Sequence, residues 1–446
     1  MHSVIIYQVL PRLWGEGKYS SFDGPSLKYI KSLGTDYIWY TGVPRHATGE
    51  SFVKGNPGSP YAVCDWFDTN PYLAEDPDAR LQEFRALLER TRREGMKSIV
   101  DFIPNHVACN YRGGLSVLDW HDGDWTDTLK VDWSAEQTRQ EFVRVLKFWA
   151  GMGVDGFRCD MVELVPADAL GSVIREVKRE FSDLLFVAEV YGRENYGRYI
   201  REVGFDLLYD KSGSYDILRA IMAGNASARS LTWNWQGLGP LQDNMLNFLE
   251  NHDEQRLCSP YFASEADRTW AALASSMLFH DAPFMLYAGQ EMGEDASEGS
   301  EGRTSIFNWC RPVSLAHIWR YTREGKGPGR KERGILSRYR ELCKLKSRSL
   351  FRSGGVWDLC YCNEDSPGFN PDRMTAFARY ENGRAAVVLC NFSESAAEVQ
   401  LRIPEELRRA SGITAVEVRM QCAPCGFSLW NCGRNSVTLL KNRIYG

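Results

Sequence analysis

Three carboxylates stand at the ends of short apolar runs, and their types suit acid–base and nucleophilic chemistry. Asp160 closes Gly156-Phe157-Arg158-Cys159-Asp160, and Glu189 closes Phe186-Val187-Ala188-Glu189. Asp253 closes Asn247-Phe248-Leu249-Glu250-Asn251-His252-Asp253, and Asp101-Phe102-Ile103-Pro104-Asn105-His106 forms a fourth such segment. Each has a bland reading when taken alone. Asp101 can cap a core and His106 can be a satisfied buried histidine. Arg158 and Asp160 share one strand face and can simply be an ion pair. Glu189 can mark a strand leaving the core, and Asn251-His252-Asp253 can be a turn or a cap. Taken together they suggest more. An arginine beside an aspartate holds it ionised as a nucleophile. A glutamate among other carboxylates is pushed toward its protonated form and can act as an acid. Close carboxylates of this kind are what glycosidic cleavage needs, with about 5–5.5 Å between the pair in retaining enzymes. Histidine and aspartate also ligate zinc, but no HExxH or similar spacing occurs.

Strands must bring these segments together. Apolar runs at Val4–Val9, Tyr37–Tyr40, Lys97–Ile103, Val154–Cys159, Leu184–Val190, Phe205–Tyr209, Met245–Glu250 and Pro283–Tyr287 alternate with helical windows. That rhythm implies parallel strands with crossover helices. Eight runs suggest a (β/α)8 TIM barrel, in which the C-terminal strand ends carry the site. Periodicity alone leaves a doubly wound sheet open. One helix should start with Asp76 as cap and Pro77 in its first turn, run through Leu81, Phe84, Leu87 and Leu88, and stop at Gly95. Phe142, Val145, Leu146 and Trp149 mark another, and Ile335, Leu336, Tyr339, Leu342 and Leu345 a later one. The catalytic barrel is expected over residues 1–350, interrupted at 107–136 by an insertion too long for an ordinary loop. Residues 351–446 read as a C-terminal all-β sandwich, with strands at Thr375–Tyr380, Ala385–Cys390, Ala397–Ile403 and Val416–Met420. Asn382-Gly383 is a hairpin signal.

The chain has 446 residues, 43% hydrophobic and 25% charged, with a net charge of −5. This is ordinary globular usage and not that of a disordered chain or a coiled coil. A nucleic-acid partner is not expected without a basic excess. No apolar run of about 18 residues suggests a membrane span. The opening residues lack a basic leader, and twelve cysteines are scattered without a framework, so a cytoplasmic location with reduced thiols is expected. Cys422-Ala-Pro-Cys425 is a single CxxC, weak as a metal or redox signal. The acidic Glu291–Glu301 loop is expected to be a solvated face or rim.

In order and wording the four segments resemble the signatures of the α-amylase superfamily, glycoside hydrolase family 13. Ser59-Pro60-Tyr61-Ala62-Val63-Cys64-Asp65, Tyr287–Glu291 and Gly302–Trp309 are similar to further family segments, and the β tail is similar to its C-terminal sandwich. The resemblance implies that Asp160 is the nucleophile, Glu189 the acid/base and Asp253 the transition-state stabiliser. It implies sugar contacts from His106, Arg158 and His252, stacking by Tyr61, and rim contacts from Asp65 and Arg256. The insertion would be a short domain B bordering an open cleft. Trp120, Trp125, Trp133, Trp233 and Trp235 are candidate sugar platforms, although most tryptophans are core.

There are departures from the family pattern. The second signature often continues Lys-His, whose backbone helps hold calcium, whereas Asp160 is followed by Met161-Val162-Glu163-Leu164. Asn105 matches one calcium-ligand position, but the set is incomplete, so no cofactor is expected to be required, and a structural calcium with Asn105 as a ligand stays open as the alternative. Ala62 follows the stacking tyrosine where exo-glucosidases often carry Asp. The implied activity is retaining cleavage of α-glucosidic bonds in maltooligosaccharides or starch-like glucans by double displacement. The alternatives are an α-glucanotransferase, a sucrose- or trehalose-directed transglucosidase, and a non-catalytic sugar-binding homologue. The substrate would be the partner, and the sequence does not indicate an oligomeric state.

Overall fold

The computed structural model describes residues 3–381, 383–432 and 443–445. Eight strands close a parallel barrel: β1 Ile5–Val9, β2 Tyr37–Tyr40, β3 Lys97–Phe102, β4 Gly156–Cys159, β5 Leu185–Ala188, β6 Leu207–Tyr209, β7 Met245–Phe248 and β8 Phe284–Tyr287. They follow one another round the ring in chain order, with β1 pairing both β2 and β8. All eight apolar runs become these strands, trimmed by a residue or two at some ends.

Alternation along the strands separates two cores. Val4, Ile6, Trp39, Val187, Tyr209 and Phe248 fill the barrel interior. Tyr7, Val100, Phe157 and Phe186 face the surrounding helices. Helix α1 spans Gly24–Lys31, α2 Arg80–Arg93, α3 Glu136–Met152 and α4 Ala167–Glu180. Asp76 accepts the N–H of Asp78 at 3.0 Å and starts a short 3-10 turn ahead of α2. Glu83 reaches back to the N–H groups of Glu75 and Asp76, and Gly95 at φ +72° follows the helix end. Phe84, Leu87 and Leu88 are buried. Phe142, Val145, Leu146 and Trp149 of α3 are buried too, each worth about 1.5–3 kcal/mol on leaving water.

Strand register sets the height of the candidate residues. Arg158 lies level with Asp101 of β3 and Val187 of β5, and Cys159 lies level with Ala188. Asp160 and Glu189, each one residue further on, therefore leave adjacent strands at one level. Paired strands lie about 4.8 Å apart. Gly156 permits this close approach, because a Cβ there would meet the Leu185 carbonyl at 2.7 Å and its Cβ at 2.9 Å.

Between β3 and α3, His106–Ala108 pairs antiparallel with Thr128–Lys130, and Val117 bridges Val131. The acidic loop is not wholly a solvated rim. Glu291 is buried, accepting the hydroxyls of Tyr7 at 2.8 Å and Tyr29 at 3.0 Å, and Glu294 is buried against Ser314. Asp295 and the later part, from Ser297 through Glu301, are exposed.

Beyond the helix Arg330–Lys346, the strands Gly355–Asp358, Met374–Glu381, Arg384–Asn391, Phe427–Cys432 and Arg443–Tyr445 form one antiparallel sheet. Ala397–Arg402 and Glu417–Cys422 form a second. Ala376, Val387 and Leu389 of the first share a core with Val399, Leu401 and Met420 of the second. A short helix, Glu405–Ser411, joins the strands of the second sheet. Glu381 pairs with Arg384, so a two-residue link closes the expected hairpin, although Asn382 lies outside the described residues. Eleven cysteines, from Cys64 to Cys425, are free, and the thiols of Cys422 and Cys425 bond backbone carbonyls. No helix among the described residues is long and apolar enough to cross a membrane.

The tight contact at Gly156 yields a test. Gly156→Ala should destabilise the protein by about 1–3 kcal/mol through overpacking, measured by urea denaturation. An unchanged midpoint would mean that β4 and β5 tolerate a Cβ between them.

Candidate active site

The centre of the site is Arg158, a fully buried guanidinium above the barrel interior. The rings of Trp39, Tyr61 and Tyr209 surround it with centroids 5.3–5.4 Å away. Nη1 donates to Asp160 Oδ1 at 2.5 Å, and Nη2 lies 3.0 Å from Glu189 Oε2. One fork thus touches two carboxylates on neighbouring strands. The Met161 N–H donates to Glu189 Oε2 at 2.9 Å, and the Tyr191 hydroxyl donates to Oε1 at 2.6 Å. Met161 achieves this in a left-handed conformation, φ 43° and ψ 42°, which costs a non-glycine residue about 1–2 kcal/mol. Such strain belongs where the surrounding structure fixes a geometry that function uses.

Asp253 follows β7 on a turn in which Asn251 Oδ1 accepts the N–H groups of Asp253 and Glu254, both at 2.9 Å. His252 Nε2 lies 3.0 Å from Asp253 Oδ2 and 2.6 Å from the Tyr61 hydroxyl. Gln8 Nε2 sits 2.7 Å from the other ring nitrogen. Tyr61 stacks on His252, with centroids 5.1 Å apart and planes at 15°. Asp101 lies beneath them. It accepts the Gly42 N–H at 2.7 Å, the Trp39 indole N–H at 3.1 Å and the Tyr61 hydroxyl at 3.3 Å.

These groups open into a cavity of about 220 Å³. Tyr61, His106, Asp160, Glu189 and Asp253 line it, together with Trp125, Met161, Tyr191, Ile306 and Phe307. Arg158 and His252 hold the carboxylates from behind. Burial pushes His106 down to about 4, so its ring is neutral at neutral pH, tilted against Trp125.

The electrostatics divide the three carboxylates. Burial, aided by the charges of Asp160 and Asp253, raises Glu189 to about 7 against the pull of Arg158. Burial also raises Asp160, while Arg158 works strongly the other way. Desolvation opposes the charge on Asp253, but His252 and Arg158 outweigh it and hold this group below the usual carboxylate range. Carboxyls pushed apart in this way suit an acid beside anionic partners.

Two expected rim contacts lie elsewhere. Arg256 is buried and structural: it pairs with Glu250 at 3.0 Å, bonds Thr304 and the Ala288 carbonyl, and stacks over Tyr287. A guanidinium so close to β7 finds its carboxylate in the core and never reaches the cavity. Asp65 is on the strand Val63–Thr69, where it accepts the Phe67 N–H at 2.9 Å, and it does not line the cavity. Of the tryptophans, only Trp125 lines the cavity. Trp133 is buried on Phe142, Trp235 packs on Phe279, and Trp120 and Trp233 are exposed away from it. Asn105 donates through Nδ2 to Asp122 at 2.8 Å, while its Oδ1 accepts from Lys130.

Tyr191 went unnoticed in the sequence, although its i+2 spacing from Glu189 hints at a shared face. Glu163 holds its loop by accepting the N–H groups of Tyr191 at 2.7 Å and Gly192 at 3.2 Å and the Asn195 amide at 2.7 Å. Neither Glu163 nor the left-handed Met161 had any sequence signal.

The Tyr191 hydroxyl stabilises the ionised form of Glu189, so its removal must favour the protonated form. Glu189 should titrate near 7 in the wild type by carboxyl carbon-13 resonance. Tyr191→Phe should titrate at higher pH, and a downward move would refute the assignment.

Residues 120–326 match the family described as alpha amylase, catalytic domain. The chain is 26% identical to an alpha-amylase, MalA, of Haloarcula japonica over 89% of this chain and 56% of that protein. It thus spans little more than half of that relative's length. It is 22% identical to neopullulanase 2 of Thermoactinomyces vulgaris, covering 90% of this chain and 71% of the relative. Among solved structures, the noncanonic maltogenic alpha-amylase AmyB of Thermotoga neapolitana superposes with a TM-score of 0.71 at 20% identity, covering 99% of each chain. An alpha-amylase from Lactobacillus plantarum gives 0.73 at 21%, covering 96% of this chain and 98% of that one. The closed parallel barrel and the match of residues 120–326 agree in making this chain similar to the alpha-amylase catalytic domain.

Proposed function

We propose that the protein is a retaining glycoside hydrolase that cleaves α-glucosidic bonds of maltooligosaccharides or starch-like glucans. The observation that carries this reading is the Arg158 fork, which holds Asp160 and Glu189 side by side at the mouth of one cavity. That closeness supports the short carboxylate spacing of retention over the wider gap that inversion needs for its water. The relatives named alpha-amylase and neopullulanase support the substrate class.

In this reading Asp160, ion-paired with Arg158, attacks the anomeric carbon and forms a β-glycosyl ester. Glu189, protonated up to about pH 7, gives its proton to the leaving oxygen and then takes one from water. Asp253, held ionised by His252 and Arg158, faces the positive charge that develops on the sugar ring. Two displacements return the α configuration. His106, Tyr61 and Trp125 bound the ring, with His252 holding Tyr61 and Asp253 from behind. Hydrolysis and glucosyl transfer share these steps up to the covalent ester and differ in whether water or a sugar hydroxyl takes the glycosyl group.

Glu189→Gln should lower kcat/KM on maltooligosaccharides about 10²–10⁴-fold. It should lose far less on an aryl α-glucoside whose leaving group needs no proton. Equal losses on both would show that Glu189 is not the acid. Incubation of the wild type with maltooligosaccharides, starch, cyclodextrin and sucrose should give shortened α-anomeric products. Products longer than the input would assign the enzyme to transfer, and no turnover of any of them would refute an α-glucan enzyme.

A further inference from the structure

The insertion between β3 and α3 is tied to the barrel by a cation of the chain's own. Lys130 ends the strand Thr128–Lys130 and turns its ammonium inward, with 12% of the side chain exposed. It donates to Asn105 Oδ1, to Asp122 Oδ2 at 2.9 Å and to the Leu164 carbonyl at 3.2 Å. An ammonium has three donors, and each finds one oxygen. Asn105 follows β3, Asp122 lies within the insertion and Leu164 follows β4, so three separate segments converge on one charge. The Trp120 ring lies 5.5 Å from the nitrogen and covers it from the insertion side.

The family resemblance implies calcium with Asn105 among its ligands, but these residues do not fit it. Calcium takes 6–8 oxygens at 2.3–2.6 Å. Here the Asn105 oxygen already belongs to an ammonium, and a second cation would be repelled by Lys130 while stripping its acceptors. Among the described residues no group of three or more His, Cys, Asp or Glu side chains could hold a metal.

We propose that Lys130 is a positioning residue that does the mechanical work of a structural metal, clamping the insertion against the barrel mouth. Asn105 passes the constraint on, because its Nδ2 lies 3.2 Å from His106 Nδ1 and its carbonyl accepts the Val131 N–H at 3.0 Å. Lys130 therefore sets the wall that carries His106 and Trp125, while the three carboxylates stay on the barrel strands.

The test uses the whole chain and reads hydrogen exchange and thermal melting, neither of which depends on turnover. A failed glucan assignment would leave both readouts intact. Wild-type melting and exchange should be unchanged by EDTA or by added calcium. Lys130→Ala should speed exchange across 105–130 and 161–165 by at least about tenfold, as loss of one charge-assisted hydrogen bond would do. Added ethylammonium should reverse much of that change by refilling the hole. On a glucan that is turned over, KM should rise more than kcat falls. Calcium-dependent melting of the wild type would overturn the proposal, as would wild-type exchange in Lys130→Ala or the absence of rescue by the amine. The wild-type arm alone decides the question of metal if the variant does not fold.

Discussion

A single buried guanidinium governs this site. Removing Arg158 from water is expensive, and only partners in good geometry offset that penalty. The barrel supplies both halves of the offset. Asp160 and Glu189 neutralise the fork from adjacent strands, the rings of Trp39, Tyr61 and Tyr209 attract the cation, and the Tyr209 hydroxyl accepts from Arg158 Nε at 3.3 Å. The carboxylates depend on the arginine in turn, since three acids this close could not all ionise without it. With one cation shared among them, burial leaves the proton on Glu189, and Asp253 keeps its charge through His252.

Around that centre the support consists of short chains of hydrogen bonds, each running back to an element that cannot move. Asp101 is the clearest case. It is buried and touches the loop after β2, Trp39 in the barrel interior and Tyr61 at the cavity. Losing it would free the ring that stacks on His252. Glu163 plays the same part above β4 and β5, gathering the N–H groups of Tyr191 and Gly192 so that the loop after Glu189 keeps its shape. The left-handed Met161 shows that the fold accepts local strain to point one N–H at Glu189.

The insertion and the C-terminal sandwich add different things. The sandwich builds its own core between two sheets and takes no part in the cavity lining. The insertion contributes the wall carrying Trp125 and Thr128, and it is anchored both by polar contacts and by Val107, Leu115, Val131 and Trp133 in the main hydrophobic core.

Much of this arrangement was legible in the linear sequence. Apolar runs of about five residues, alternating with 3.6-period helical windows, specify parallel strands whatever their neighbours, so the barrel strands and the first helices could be read directly. Asp160, Glu189 and Asp253 declared themselves because each interrupts or ends such a run. Arg256 and Asp65 misled, because a charged residue beside a motif looks the same whether it turns to the cavity or to a buried partner. The acidic loop misled for the same reason: Glu291 and Glu294 find tyrosine and serine donors that are remote in sequence. The sequence by itself determined which elements form and which residue types wait at their ends, since those follow from local periodicity. Only the tertiary structure decided which carboxylate keeps its proton, that Lys130 gathers oxygens of Asn105, Asp122 and Leu164, and that Tyr191 caps Glu189. Those outcomes depend on dielectric and distance between groups far apart along the chain, and neither quantity exists until the barrel closes.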